Sequence, residues 1–141
     1  MRLLVLTNNP DRASFRMRVA IHLGTLRDSG IDCQVVQLPR GFWARQRLFQ
    51  QAAGFDGVFL HKKRLSWLDA VSLRRCARRI LYDFDDAVMY RDREPERTSR
   101  ARFRDFGRTV GLADMVIAGN TYLGEHASRY NANVRVLPTG V

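Results

Sequence analysis

Short apolar runs alternate along the chain with longer segments in which apolar residues recur every three or four positions. The short runs are too brief for helices and rich in Val, Ile, Leu and Phe, as is typical of buried strands. We predict strands at 2–7, 31–38, 57–61, 80–84, 114–119 and 134–138. The longer segments predict helices that begin near Ser14, Phe42, Ser66, Phe103 and Asn120.

This alternation predicts the fold class. Strands that alternate with helices favour a parallel sheet, and runs that are apolar throughout indicate helices on both of its faces. With right-handed crossovers, we predict an α/β fold with a Rossmann-like, doubly wound parallel sheet of about six strands. Ser14 is a candidate N-cap of one helix that extends to Gly30, a candidate C′ glycine. Residues 92–102 carry charges of both signs and predict a loop.

Three acids, Asp83, Asp85 and Asp86, end the apolar run at 80–84. Like charges this close are costly to bury unpaired, so we expect them to face water, a cation or a polar ligand. A solvated turn is the simplest interpretation, and a ligand cleft at the carboxyl edge of the sheet is the alternative. Other polar residues follow strand ends and would meet the acids at that edge. They are Asn8, His61, Asn120 and Thr139.

Phosphate-binding motifs are missing after the first strand, because residues 8–12 contain no glycine and neither a dinucleotide fingerprint nor a P-loop is present. Ser14, Arg16 and Arg18 lie at the predicted start of the first helix, where free N–H groups favour a phosphate or carboxylate. A solvated first turn is the alternative. His61 ends a predicted strand among basic residues, and this position favours a structural or hydrogen-bonding role for it over catalysis.

Composition describes one globular domain of 141 residues, with 45% hydrophobic and 27% charged residues. No apolar run approaches the ~20 residues of a membrane helix, and the one at 3–6 is too short for a signal peptide. Cys33 and Cys76 have no metal or redox spacing and suit a reducing compartment, so we predict a cytoplasmic location. The net charge of +10 favours anionic partners, which include nucleic acid, acidic lipids and phosphorylated molecules.

Three stretches carry a resemblance to a known family. They are Ser14-Phe-Arg-Met-Arg-Val19, Ile80 to Tyr90, and Ala113-Asp-Met-Val-Ile-Ala-Gly-Asn120 running on to Val136-Leu-Pro-Thr-Gly-Val141. Together they resemble the N-terminal domain of retaining glycosyltransferases with the GT-B fold, of the family 4 (glycosyl transferase group 1) kind. The last stretch is the most specific, since it is similar to the segment that leads from the N-terminal into the C-terminal domain.

The resemblance implies an activity and its partners. In this family the C-terminal domain binds the nucleotide-sugar donor, the N-terminal domain binds most of the acceptor, and transfer needs no metal in most members. Residues 1–141 would then form the acceptor-side domain, without the donor-binding domain and inactive alone. The implied substrates are a nucleotide-sugar and a saccharide or lipid-linked acceptor of polysaccharide biosynthesis. Neither a cofactor nor a specific nucleic acid is expected.

The resemblance also implies roles for the polar residues. Asp83, Asp85 and Asp86 would hydrogen-bond sugar hydroxyls or orient the catalytic cleft, since carboxylates accept strong hydrogen bonds. Further residues would bind the acceptor or a phosphate. They are Asn8, Asn9, Ser14, Arg16, Arg18, His61, Lys62, Asn120, Thr139 and Gly140.

Two departures from the family pattern limit what is carried over. Many members have a glycine-rich loop after the first strand, where this chain has residues 8–12. Many have a histidine after the strand that matches Ile80 to Phe84, where this chain has Asp85 or Asp86. The role of that histidine is therefore not transferred.

Two alternative functions and one further partner stay open. Asp83-Phe-Asp85 is formally a D-x-D motif, which predicts a metal-dependent transferase complete in one domain. The positive charge alone suggests a nucleic-acid-binding module. Arginines on two predicted helices, near the aromatic pair Phe42 and Trp43, suggest reversible binding to the inner face of an anionic membrane. They are Arg45, Arg47, Arg74, Arg75, Arg78 and Arg79. The alternative is that these side chains bind no membrane and only keep the outer helix faces in contact with water.

Overall fold

Every neighbouring pair of strands in the central sheet runs parallel, as the alternating pattern predicts. The computed structural model describes residues 1–85, 90–91, 94–98 and 100–138. The central sheet has six strands, which are β1 (Arg2–Thr7), β2 (Asp32–Gln37), β3 (Gly57–His61), β4 (Ile80–Phe84), β7 (Met115–Ala118) and β8 (Val134–Val136). Their order across the sheet is β2-β1-β3-β4-β7-β8. The predicted α/β fold with a Rossmann-like, doubly wound sheet is confirmed.

Helices cover both faces of this sheet. They are α1 (Ala13–Arg18), α2 (Leu23–Asp28), α3 (Phe42–Gln51), α4 (Trp67–Cys76), α5 (Arg100–Leu112) and α6 (Thr121–Ala127). Because side chains alternate along a strand, β1 serves two cores. Val5 packs with Phe15 and Val19 on one face. Leu4 and Leu6 join the larger core, with α3 to α6, on the other.

The first predicted helix is broken into two. Val19 leaves the helical region, with φ −121° and ψ −58°, and a 3₁₀ turn at Ala20–His22 connects α1 to α2. The N-cap prediction was wrong, because Arg12 precedes α1 and Ser14 lies inside it, where its hydroxyl binds distant side chains. The C′ prediction is confirmed, since Gly30 has φ +89° and its N–H binds the Arg27 carbonyl.

The predicted loop at 92–102 was also wrong. This segment contributes to a two-stranded antiparallel sheet formed by β5 (Tyr90–Arg91) and β6 (Glu94–Thr98), and α5 begins at Arg100. Few apolar residues occur in the segment, so the hydrophobic pattern contains no strand signal there. Within the described residues, no helix combines the length and the apolar character needed to cross a bilayer.

Candidate functional site

A cleft opens where the strand order reverses. The chain passes from β1 to the edge strand β2 and returns to β3 on the other side of β1, so consecutive connections diverge at the carboxyl ends of β1 and β3. Open parallel sheets bind ligands at such switch points. The cleft found here has a volume of about 750 Å³ and is lined by the loops that follow β1, β2 and β3.

The lining of this cleft is strongly cationic. Among the lining residues that the structure describes, seven are arginine or lysine and none is Asp or Glu. The seven are Arg12, Arg40, Arg45, Lys62, Lys63, Arg64 and Arg102. Thr7, Asn8, Asn9 and His61 add polar groups, as the sequence predicted for the last three. An anion is therefore the ligand that this cleft favours electrostatically.

A strained turn presents the lysines after β3. Lys62 has φ +64°, and the Lys63 N–H donates to the His61 carbonyl at 2.8 Å, which is the hydrogen bond of a positive-φ γ-turn. Such a conformation costs on the order of 1–3 kcal/mol for a residue other than glycine and persists only where its surroundings hold it. The Asp83 carbonyl binds the Lys62 N–H, and the Tyr82 hydroxyl donates to the Lys62 carbonyl at 3.2 Å.

Beside the cleft, Asp83 is the centre of a buried ion-pair network. Its carboxylate binds Arg18, with Nη2 at 2.5 Å from Oδ1 and Nε at 3.0 Å from Oδ2. It also binds His61, whose Nδ1 lies 3.0 Å from Oδ2. The Asp83 side chain is only 3% exposed. The D-x-D interpretation does not fit, because both carboxylate oxygens of Asp83 already bind the protein's own cationic and imidazole groups.

The electrostatics of Asp83 follow from these contacts. Burial acts to raise the pKa of its carboxyl group, but hydrogen bonds from His61 and Arg18 and the charge of Arg18 outweigh it and hold the pKa below its ordinary value. The pKa of the Arg18 guanidinium is raised, because the bond to Asp83 and the charges of Asp83 and Asp85 exceed the opposing effect of burial. The pair therefore stays ionised.

Asp85 forms the outer part of the same network. The Ser14 hydroxyl lies 2.8 Å and 2.9 Å from its two carboxylate oxygens and 3.3 Å from Nε2 of His61. Lys62 Nζ approaches Asp85 to 3.6 Å. A continuous polar path thus runs from Asp83 through His61 and Ser14 to Asp85. Asp85, with 16% of its side chain exposed, is the more accessible of the two acids.

The remaining predicted site residues differ in where the structure places them. Arg16 is exposed and lies outside the network. Asn120 uses its side-chain oxygen to cap α6 at the Leu123 N–H, 2.8 Å away, so this helix begins where the pattern predicts it. Asp86, Thr139 and Gly140 lie outside the described residues. Within the part of the chain that the structure describes, no group of three or more His, Cys, Asp or Glu side chains is arranged to hold a metal.

Several functional candidates were not identified from the sequence. Arg12 and Arg40 lie in loops after β1 and β2, where charged residues are ordinarily solvated, so the pattern alone did not single them out. Arg45 was predicted to be exposed, but it binds the buried Asp69 at 2.9 Å and connects α3 to α4. Arg74 likewise binds Asp114 at 2.9 Å and three backbone carbonyls.

Comparison with known proteins does not assign this chain to a family. Neither the protein-family models nor the curated proteins include a match to this sequence. The fold and the geometry of the site therefore carry the functional argument.

Proposed function

We propose that this chain is the acceptor-side domain of a retaining glycosyltransferase with the GT-B fold, which transfers a sugar from a nucleotide-sugar to a saccharide or lipid-linked acceptor. The donor-binding half is a separate domain on this proposal, and residues 1–141 alone are inactive. The proposal names no resident metal or cofactor.

One observation carries the proposal. The three stretches that resemble this family are far apart in sequence, yet they meet at the carboxyl end of β4. Ser14 and Arg18 of the first stretch bind Asp85 and Asp83 of the second. Arg18 Nη1 also donates to the Leu137 carbonyl of the third at 2.9 Å. Motifs that form one cluster are better explained by one shared site than by three separate coincidences.

The geometry supports distinct roles for the two acids. Asp83 is buried and paired, so it positions Arg18 and His61 rather than contacting a substrate. Asp85 is partly exposed beside Lys62 of the cleft, and its carboxylate is suited to accept hydrogen bonds from sugar hydroxyls. Ser14 holds that carboxylate in place. In this arrangement an acceptor occupies the cleft and places its reacting hydroxyl towards Asp85.

Nuclear magnetic resonance titration tests this function directly. A panel of saccharides should shift backbone amide signals of the loops after β1 and β3, and Asp85→Asn should abolish these shifts. Asp28→Asn, an exposed acid at the end of α2, is the matched control and should leave them unchanged. In parallel, no nucleotide-sugar should be consumed. Turnover of a nucleotide-sugar by the chain alone, or saccharide shifts confined to other surfaces, would contradict the proposal.

A membrane-facing surface is part of the same proposal. Trp43 and Arg47 are four positions apart on α3, and Trp67 and Arg75 are eight positions apart on α4, so each pair falls within one broad stripe along its helix. The two helices pack against each other. The two tryptophans are 74% and 64% exposed. We call these four residues the aromatic–basic surface, and propose that it binds an anionic bilayer that contains the acceptor.

A further inference from the structure

The positive charge of the cleft is only partly neutralised within the protein. Arg45 is paired with Asp69, and Lys62 approaches Asp85. Arg12, Arg40 and Lys63 also line the cleft, and within the described residues no ion pair neutralises their side chains. Three cations thus face one cavity, and none of the described residues that line it carries a carboxylate.

The surroundings of Lys63 show the consequence of this crowding. Burial lowers the pKa of its ammonium group, and the positive charges of Arg45 and Arg64 lower it further, against the opposing charges of Asp69 and Asp105. Holding these cations together is electrostatically unfavourable unless an anion lies between them. A bound anion would relieve the repulsion, so the protein is preorganised for one.

The number and type of cations indicate the ligand class. Guanidinium groups present planar pairs of donors that match phosphate oxygens, and lysine adds a mobile point charge. A phosphoryl group carries a charge of about −1.5 to −2 near pH 7, so a single phosphate leaves part of the charge of three cations unmatched. Two linked phosphates present enough oxygens to bind both guanidinium groups and the lysine at the same time. The cleft of about 750 Å³ is large enough to hold further parts of the same ligand beside them.

We propose that the acceptor carries a diphosphate group, which Arg12, Arg40 and Lys63 bind in the cleft between the loops after β1, β2 and β3. The identification of this ligand as the acceptor rests on the proposed function, whereas diphosphate binding itself is independent of sugar transfer. Lipid-linked and nucleotide-linked diphosphates offer the same chemistry, and the experiment separates them.

Calorimetric titration of the 141-residue chain with inorganic pyrophosphate tests the proposal, with orthophosphate and sulfate at matched ionic strength for comparison. We expect pyrophosphate to bind at least ~10-fold more tightly than orthophosphate, because charge-assisted contacts add across two phosphates. The double variant Arg40→Gln/Lys63→Gln should weaken pyrophosphate binding by about tenfold or more. Arg27→Gln/Arg129→Gln removes the same charge from exposed positions on α2 and after α6 and should change it less than about twofold.

Equal affinity for pyrophosphate and orthophosphate would overturn the diphosphate site. Equal weakening in the two double variants would also overturn it, because it would indicate general electrostatic attraction. Melting curves of both variants establish that each is folded. Geranyl diphosphate and uridine diphosphate then separate the sources. Preference for the first assigns a lipid-linked diphosphate, whereas preference for the second assigns a nucleotide-linked one, as in the donor, and would overturn the identification of the ligand as the acceptor. Saccharide-induced shifts without pyrophosphate binding would reject this inference alone. Pyrophosphate binding without saccharide shifts would reject the proposed function alone.

Discussion

Gly119 approaches Asp85 so closely that a side chain at residue 119 could not be accommodated. A Cβ atom built on Gly119 would lie 2.8 Å from the Cα and 2.9 Å from the Cβ of Asp85, and 3.5 Å from Nη1 of Arg18. The first of these contacts is with backbone, so it cannot be relieved by a rotamer change. The Gly119 N–H also donates to the Phe84 carbonyl at 2.9 Å. The turn after β7 therefore fixes the position of Asp85.

Gly119→Ala should displace Asp85 and loosen its contacts with Ser14 and Lys62. We expect a loss of about 1–3 kcal/mol in the free energy of unfolding, as is usual for overpacked sites, together with loss of saccharide-induced shifts. Urea denaturation measures the first effect. Gly24→Ala is the control, since a Cβ at Gly24 meets nothing within 4 Å. It should leave stability unchanged or raise it by up to about 1 kcal/mol. Equal effects of the two substitutions would show that the contact with Asp85 is unimportant.

Asp83→Asn and Asp85→Asn should separate structure from function. Asp83→Asn removes the carboxylate that Arg18 binds, and breaking a buried ion pair costs about 3–5 kcal/mol. Asp85→Asn opens no cavity and affects a partly exposed group, so its melting temperature should change little. In a protein that also contains the donor-binding domain, Asp85→Asn should lower the rate of transfer. Unaltered transfer rates beside unaltered melting would indicate that Asp85 is only a solvated turn residue.

The stability of the protein should fall in acid through Asp83. Its pKa is lower in the folded state than the ordinary value of an aspartate, so the unfolded chain takes up the proton more readily as the pH falls. The stabilisation is complete above the unfolded-state pKa and is lost as the pH falls through the folded-state pKa. Urea denaturation from about pH 6 down to about pH 2 should show a decline below about pH 4 that Asp83→Asn reduces. Asp114 is partly exposed, and bonds from the Ile80 N–H and Arg74 lower its pKa against the effect of burial, so some slope should remain. An identical slope in Asp83→Asn would contradict this assignment.

The parallel sheet could be predicted from the sequence because each strand is a local apolar run. Ile80–Phe84 was placed with both its ends correct, and the acids that follow it marked the carboxyl edge. Strand order, in contrast, is not encoded in any single run. The position of the cleft depends on β1 lying between β2 and β3, and alternation of strands and helices is compatible with several orders. The cationic cleft could therefore not be located from the pattern.

Contacts between distant residues account for the other differences. Ser14 resembles an N-cap locally, but its hydroxyl binds Asp85, 71 positions away. Arg45 occupies a position typical of an exposed helix face, but Asp69, 24 positions away, draws it inward. In both cases a long-range charged or polar partner overrides a local preference. Asn120 caps its own helix within three residues, and the start of that helix was predicted correctly from the local sequence.

Thr109 should control the loop that carries Lys63 and Arg64. Its hydroxyl is buried, accepts from the Leu65 N–H at 2.8 Å and donates to the Asp105 carbonyl at 2.7 Å. Thr109→Val is nearly isosteric but leaves the Leu65 N–H without a partner, which should cost about 1–3 kcal/mol. Thr109→Ser keeps the hydroxyl and should retain pyrophosphate binding, whereas Thr109→Val should weaken it. Hydrogen exchange at the Leu65 amide measures the lost bond directly, and unchanged protection in Thr109→Val would contradict the role.

The aromatic–basic surface should bind anionic membranes reversibly. Each exposed Lys or Arg near an anionic bilayer contributes about 1 kcal/mol, and interfacial tryptophans add apolar contact at the headgroup level. In co-sedimentation we expect the chain to pellet with phosphatidylserine-containing vesicles at low salt and to dissociate from them as the salt concentration rises. It should not pellet with purely zwitterionic vesicles. Arg47→Gln/Arg75→Gln should weaken pelleting more than the charge-matched Arg27→Gln/Arg129→Gln, because only the first pair lies on this surface. Equal loss in the two pairs would attribute binding to the net charge of +10, and no pelleting at low salt would reject the surface.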